Sequence, residues 1–403
     1  MEVTQLTHIN KVNLTLNNVS YEEVNQTFTN TCTTNCEAGN GIFYYSGAEE
    51  LKDFQNWYSR YHGYIAATIC ILGIVANLLN IVVLTQKNMI SATNCILTAL
   101  AVADGLTMLA YFPFALFFYC IHSANVLDAD KNSLSSTKFL FFYAAFSTVV
   151  HSIAIWLTVT LAIFRFMFIK YPRYGPLLCS LPRAKLAVAL VYLVTFIFCI
   201  PNIVALSVVP YTKDELNRTI WLLHMPENTM LQKVIVKGNF WIQAIVIKLG
   251  PCAGLTVLSF LLIQSMREAE QRRKNLRAKS VKPDDDNRRD RKTNRTTRML
   301  LAVVILFLIT EMPQGILMFL TGVLDTHFFK EIYDPLGDFM DILALINNGI
   351  NFILYCTMSK QFRETFLDIF LKPVREETRR LSTGFTMIPT QNGKISDSDA
   401  TLV

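Results

Sequence analysis

Long runs of apolar residues recur along the chain, and polar segments separate them. Each run holds about 20 residues or more, the length that an α-helix needs to cross the hydrocarbon core of a bilayer. Seven such runs are present: Tyr64–Thr85, Ile96–Tyr119, Phe139–Ile169, Leu186–Val209, Phe240–Ile263, Met299–Leu324 and Pro335–Met358. The pattern predicts an all-α membrane protein built as a bundle of seven transmembrane helices.

The polar segments divide the chain into further parts. Residues 1–60 are predicted to form a glycosylated extracellular arm, and residues 61–358 are predicted to form the bundle. Within the bundle, the basic segment 264–298 is predicted to be the third intracellular loop. Residues 372–403 are polar and predict a disordered cytoplasmic tail. Between bundle and tail, residues 359–371 predict a short amphipathic helix, an eighth helix along the inner membrane surface, with an apolar side made of Phe362, Phe366, Ile369 and Phe370.

Charge predicts how the bundle is oriented. The chain carries 37 lysines and arginines and a net charge of +6, and 25 of these basic residues fall in 86–95, 170–185, 264–298 and 359–403. Basic residues concentrate in cytoplasmic loops. The N-terminus is therefore predicted outside and the C-terminus inside, in a multi-pass plasma-membrane protein.

The glycosylation sequons agree with this orientation. Four of them fall in segments predicted outside, at Asn13, Asn18, Asn25 and Asn217. Three cysteines are also predicted outside: Cys32, Cys36 and Cys120. Their number predicts one disulfide and one free thiol, and the pairing stays open.

Two charged residues lie inside neighbouring spans. Glu311 stands in "ILFLITEMPQG", just before Pro313, and Lys248 stands three residues before Pro251. Charged residues inside a membrane are costly and face the bundle interior, where a partner offsets the cost. We therefore predict a buried ion pair between Lys248 and Glu311. Glu311 is either an activation switch on the Pro313 kink or a structural carboxylate bonded to Thr310, Gln314 or a water.

Ordered landmarks in the spans resemble the rhodopsin-like family of G-protein-coupled receptors. Asn77 in "GIVANLLN", Asp104 in "LALAVADGL" and Arg165 in "TLAIFRF" match its residues of helices 1, 2 and 3, and Asn351 and Tyr355 match the ends of its Asn-Pro-x-x-Tyr motif. The resemblance implies coupling of Arg165 to a heterotrimeric G protein, arrestin as a further partner, and a switch role for Asn351 and Tyr355.

A narrower resemblance rests on longer stretches. The segments "TEMPQG", "NFILYC", "WLTVTLAIFRF" and "LTALAVADGLTMLAYFPF" resemble invertebrate myosuppressin and FMRFamide-related neuropeptide receptors. This resemblance implies an extracellular peptide that ends in Arg-Phe-amide, or a relative of such a peptide.

The chain also departs from the rhodopsin-like pattern. Phe164 replaces the acid before the arginine, Phe352 replaces the proline of helix 7, and Leu140 stands where a cysteine is expected. The usual disulfide between the second extracellular loop and helix 3 is therefore absent. Because the acid that restrains Arg165 is missing, we expect raised basal signalling.

An arginine-bearing peptide needs a carboxylate, because arginine binds carboxylates through charge-assisted, often bidentate, hydrogen bonds. The last span supplies Asp341 as the first candidate and Asp338 as the second, spaced so that both lie on one helix face. The alternative is a solvated helix end, which suits Asp338 better than Asp341.

Further candidate ligand contacts lie on other spans. Ser147 and His151 fall on one face of span three, and Gln314, one turn or less above Glu311, is a candidate to bond an amide terminus. Tyr111 and Phe240 are candidate aromatic lining. The alternatives are a hydrogen-bonded interior histidine and ordinary core or lipid-facing aromatics.

A polar core is predicted deeper in the bundle, formed by Asn77, Asp104, Asn347 and Asn351. It is a candidate site for water or sodium, although Ala154 replaces a usual hydroxyl ligand. No other cofactor is predicted.

The tail carries two short motifs. Ser382 in "RRLS" is a candidate phosphorylation site, and Thr401 with Val403 ends the chain in a form that fits capture by a PDZ domain.

These patterns predict a receptor for a short amidated neuropeptide and no enzyme, since no catalytic motif accompanies the buried charges. Another peptide or a lipid as ligand is the first alternative. A transporter or channel is the second, but the chain has no inverted repeat to support it.

Overall fold

The computed structural model describes residues 47–122, 130–213, 218–226, 228–277, 284–324 and 328–371. Seven of its helices are long and apolar enough to cross a membrane, as predicted. In chain order the helices are α1 Ala48–Leu84, α2 Ala92–Ile121, α3 Leu134–Lys170, α4 Leu181–Ala205, α5 (Met230–Trp241, Ile242–Leu249 and Gly250–Arg277 in continuous succession), α6 Asp284–Val323, α7 Phe329–Met358 and α8 Lys360–Phe370. Single helical turns at Lys87–Met89 and Gly175–Leu178 link α1 to α2 and α3 to α4.

The first helix is longer than its apolar run. It begins at Ala48, so residues 48–60, which the sequence assigned to the extracellular arm, are helical. Aromatic packing explains the extension: the rings of Phe54 and Tyr58 stack at 5.5 Å, and each meets Phe339 of α7 edge-on at 6.3 Å. Tertiary contact therefore continues a helix that periodicity alone did not indicate.

A β-hairpin interrupts the helical pattern between α4 and α5. Strands β1 (Ser207–Lys213) and β2 (Arg218–His224) pair antiparallel, so the predicted fourth span, which ended at Val209, ran into a strand. The hairpin is fixed to the start of α3: the Trp221 N–H donates to the Asn132 carbonyl at 2.9 Å, and the Thr137 hydroxyl donates to the Trp221 carbonyl at 2.8 Å. These bonds hold the loop at the helix where the expected disulfide is missing.

The fifth helix contains a widened stretch of π-helical turns over Ile242–Leu249. Pro251 follows it and has no backbone N–H to donate, so the regular ladder of helical bonds cannot form there. A π-helical stretch shifts the rotational position of the residues that follow. Lys248 lies at its end with its side chain only 1% exposed, turned into the bundle.

The bundle has two ends, which we call the hairpin end and the α8 end. At the hairpin end an aromatic core gathers around Tyr111, Phe114 and Tyr143. At the α8 end the predicted amphipathic helix is present, and its Phe362, 1% exposed, meets Phe352 and Tyr355 at ring distances of 5.9 and 5.6 Å. The rest of its predicted apolar side, Phe366, Ile369 and Phe370, packs on the same core.

Candidate ligand and activation site

A single lysine joins three helices in the middle of the bundle. Lys248 Nζ of α5 lies 2.9 Å from Glu311 Oε2 and 2.9 Å from Gln314 Oε1, both on α6, and 3.1 Å from His151 Nε2 on α3. None of the four side chains is more than 2% exposed. The structure thus places the predicted ion pair in a site sealed from solvent, where the attraction between opposite charges is stronger than in water. We call these four residues the Lys248 cluster.

The chemistry of the lysine fixes the roles of its partners. An ammonium group donates and cannot accept, so Gln314 presents its carbonyl oxygen and His151 presents the lone pair of Nε2. His151 Nε2 also lies 3.4 Å from Glu311 Oε2, a longer contact than its distance to the lysine. His151 therefore serves as an interior acceptor, and its place in the cluster was not predicted. The hydroxyl of Thr310, a proposed partner of Glu311, instead donates to the carbonyls of Leu306 and Phe307.

Asp341, the first candidate carboxylate on α7, belongs to a chain of polar groups at the hairpin end. Asp341 is fully buried, and the Tyr111 hydroxyl of α2 approaches its Oδ2 at 3.4 Å. The same hydroxyl lies 2.9 Å from Nε2 of His62 on α1. Three helices therefore meet at this carboxylate, and the solvated helix end considered from sequence does not describe Asp341.

Asp338, the second candidate carboxylate on α7, is bonded to a different tyrosine. Tyr119 of α2 donates to Asp338 Oδ1 at 2.8 Å, and Asp338 is 9% exposed. The His62 ring lies 4.6 Å from the Tyr119 ring, between the two tyrosines. Sequence reasoning missed both His62 and Tyr119; the only signal was their position near the ends of spans one and two that meet at the hairpin end.

Two further predicted contacts, Ser147 and Phe240, lie on α3 and α5. Ser147 is fully buried on α3, one turn from His151. Phe240 packs instead with Met318 and Tyr333, in a cluster formed by α5, α6 and α7. Tyr111 and Phe240 therefore belong to different apolar clusters.

The predicted polar core divides into two sets of bonds. Asn351 donates to Asp104 Oδ2 at 3.0 Å, while Asn77 donates to the Asn348 carbonyl at 3.0 Å. Asn347 and Ala154 line a small cavity beside Asp104. Because Ala154 has no side-chain oxygen, the ligand set expected for sodium is incomplete.

Arg165 lies at the α8 end, in the wall of a cavity that Phe168, Cys179, Tyr355 and Phe362 also line. Among the side chains that the structure describes, Arg165 has no carboxylate partner, and its Nε is buried without a hydrogen bond. Burial raises the pKa of the Cys179 thiol, while Arg165 and Arg183 act against that rise. An unpaired guanidinium in an open cavity is suited to bind an incoming carbonyl or carboxylate.

The remaining candidates fall outside the described residues. These are the four sequons at Asn13, Asn18, Asn25 and Asn217, the phosphorylation site Ser382, and the chain end at Thr401 and Val403. Cys32 and Cys36 lie outside them as well, whereas Cys120 is described and has a free thiol.

Comparison with known proteins matches residues 64–373 to the family described as serpentine type 7TM GPCR chemoreceptor Srw. The G-protein coupled receptor dmsr-1 of Caenorhabditis elegans is 29% identical over 371 residues, covering 81% of this chain and 71% of that protein. Sex peptide receptor-related protein 2 of the same nematode is 31% identical, covering 79% and 73%. The FMRFamide receptor of Drosophila melanogaster is 24% identical, covering 79% and 54%.

Proposed function

Since the chain belongs to the Srw family of seven-transmembrane G-protein-coupled receptors, and is thus a receptor and not an enzyme, we propose that it binds a short extracellular peptide with an amidated Arg-Phe end. Two relatives, the FMRFamide receptor and sex peptide receptor-related protein 2, have names that indicate peptide ligands. The resemblance of "TEMPQG" and "NFILYC" to FMRFamide-related receptors supports the narrower assignment.

The observation that carries this proposal is the Asp341 carboxylate. It lies fully buried at the hairpin end, and its contact with the Tyr111 hydroxyl, at 3.4 Å, is long for an O–H···O bond. A guanidinium offers two parallel N–H donors to a carboxylate and forms shorter, charge-assisted bonds. The peptide's arginine therefore replaces a weak neutral donor with a strong charged one.

Asp338 is the second carboxylate of this site. It lies one helical turn nearer the hairpin end and is 9% exposed, with Tyr119 donating at 2.8 Å. Because that bond is short, the tyrosine competes with a ligand more effectively here than at Asp341. We assign Asp338 a lesser role, as the carboxylate that the arginine meets on entry.

The proposed mechanism is a shift between two bundle conformations. Lys248 ties α5 to α6 through Glu311, two residues before Pro313, where α6 lacks a helical bond. Ligand that binds better to the state with α6 moved outward raises the population of that state. The G protein then meets Arg165 in the cavity at the α8 end.

The test is G-protein activation in cells that express the full chain, challenged with Phe-Met-Arg-Phe-amide and other peptides that end in Arg-Phe-amide. We expect activation by the amidated peptides. Asp341→Asn should lower their potency by about ten- to a hundredfold, because a buried charge-assisted pair is lost.

Two matched controls locate the effect. Asp338→Asn should lower peptide potency less than Asp341→Asn does. On the unmodified receptor, a peptide with citrulline in place of arginine should have lost most of the potency of the arginine peptide. The Asp341→Asn change should then lower the potency of the citrulline peptide only slightly further. Silence of the unmodified receptor at the cell surface across the panel would retire the ligand class. If the Asp341→Asn change lowers the potency of arginine and citrulline peptides by the same factor, Asp341 does not bind the peptide's arginine.

A further inference from the structure

The Lys248 cluster leaves two polar atoms unused. Glu311 Oε1 and Gln314 Nε2 are buried and have no hydrogen-bond partner among the described residues. Leaving a buried polar atom unpaired costs free energy, so such atoms in a native protein call for an explanation. The two side chains that carry these atoms are neighbours, since Glu311 and Gln314 lie three residues apart on one face of α6 and bind the same ammonium.

The lysine determines what these atoms can offer. Lys248 can only donate, so it draws the carbonyl oxygen of Gln314 toward itself and turns the amide N–H₂ away. It likewise occupies Glu311 Oε2 and leaves Oε1 without a hydrogen bond. The cluster therefore keeps one strong acceptor and one donor group unused.

We propose that Glu311 and Gln314 form the site that reads the C-terminal carboxamide of the peptide, an inference that rests on the proposed function. A carboxamide has the complementary pattern of one acceptor and one donor group. Its carbonyl oxygen accepts from Gln314 Nε2, and its N–H₂ donates to Glu311 Oε1. Both unpaired atoms of the cluster are then satisfied by one end group.

The same arrangement rejects a peptide with a free acid end. A terminal carboxylate can accept from Gln314, but it places its second oxygen against the Glu311 carboxylate. Like charges in a buried site repel strongly, and the acid form has no proton to donate. A water molecule would also satisfy the two atoms, but it would not distinguish an amide from an acid.

The packing above the sealed cluster is apolar and includes two methionines, so it must rearrange when a ligand enters. Met318 of α6, one turn beyond Gln314, and Met340 of α7 belong to the apolar cluster on the hairpin side. Methionine side chains are unbranched and adapt to new packing at little cost. Met340 is also the neighbour of Asp341, so the arginine and amide ends of one short peptide fall on adjacent parts of α6 and α7.

The experiment compares the amide and free-acid forms of Phe-Met-Arg-Phe on variants of the full receptor, with surface expression measured for each. In Glu311→Gln the lysine again draws the carbonyl oxygen, so an N–H₂ group now faces the ligand. We expect the potency ratio of amide to acid to fall at least tenfold, with the acid form gaining activity. Gln314→Met removes a donor that both forms use, so it should lower both potencies and leave the ratio unchanged.

Thr310→Val is the matched control, because Thr310 is buried beside Glu311 but bonds only its own helix; it should change neither potency nor ratio. If Glu311→Gln does not reach the surface, the Gln314→Met result decides, and unchanged potency of the amide there overturns the proposal. An unchanged ratio in a well-expressed Glu311→Gln receptor also overturns it. If the unmodified receptor answers neither form nor any other peptide of the panel, the proposed function fails, and this inference fails with it.

Discussion

Lys248 and Glu311 bind α5 to α6 through a contact of 2.9 Å between Nζ and Oε2, with each side chain 1% exposed. Neither charge has access to solvent, so each depends on the other for its presence in the bundle. His151 and Gln314 complete the bonding of the ammonium. The pair therefore links α5 to α6 and leaves neither buried charge without a partner.

The first prediction concerns the stability of this pair. Lys248→Met leaves Glu311 as a buried charge with no cation and should destabilise the receptor by about 3–5 kcal/mol. The double variant Lys248→Met, Glu311→Leu removes both charges and should recover most of that loss. Thermal unfolding of detergent-solubilised receptor, with surface abundance, measures both effects.

Lys52→Met provides the control, because Lys52 is an exposed lysine of α1 and should leave the unfolding temperature unchanged. A double variant that unfolds as readily as Lys248→Met alone would show that the two charges do not depend on each other.

The second prediction concerns the hydroxyl of Tyr111, which lies between His62 and Asp341. Tyr111→Phe keeps the ring packed but leaves a buried His62 nitrogen without this partner. We expect a loss of about 1–3 kcal/mol in stability. Thermal unfolding checks it against Tyr61→Phe, whose hydroxyl is on an exposed residue of α1. Equal unfolding temperatures for the two variants would remove Tyr111 from the buried polar chain.

The third prediction concerns basal signalling. No described carboxylate restrains Arg165, and the preceding residue is Phe164. We expect measurable G-protein activation without peptide, and its loss in Arg165→Gln. Lys170→Gln, which removes a cation from an exposed ion pair at the end of the same helix, should keep basal activity. A receptor that is silent without peptide yet active with it would contradict the expectation.

The fourth prediction concerns the hairpin, which hydrogen bonds rather than a disulfide hold against α3. Thr137→Val removes the donor to the Trp221 carbonyl and should lower peptide potency about fivefold, the effect of one net hydrogen bond. Thr212→Val, on an exposed strand position, should not lower the potency.

A mild membrane-impermeant reductant should leave the potency of the unmodified receptor unchanged. A strong loss of potency under reductant would reveal a disulfide on which the site depends.

The sequence by itself determined the class of this protein. Seven apolar runs fix a helical bundle, because a bilayer leaves each helix to satisfy its own backbone bonds. The same rule identified Lys248 and Glu311 as partners, since a membrane tolerates such charges only when they face inward and pair. The amphipathic α8 also followed from the spacing of its phenylalanines.

The tertiary structure decided which side chains meet. His151 contacts Lys248, and His62 contacts the Tyr111 hydroxyl near Asp341. In each case, helices far apart in the chain bring the groups to the same level of the bundle. The hydrophobic period of a single helix does not encode that level. The hairpin likewise depends on bonds between Trp221 and the start of α3, while the extension of α1 depends on packing against Phe339. Contacts between distant segments decide these features, and a single sequence shows them only as isolated polar or aromatic residues.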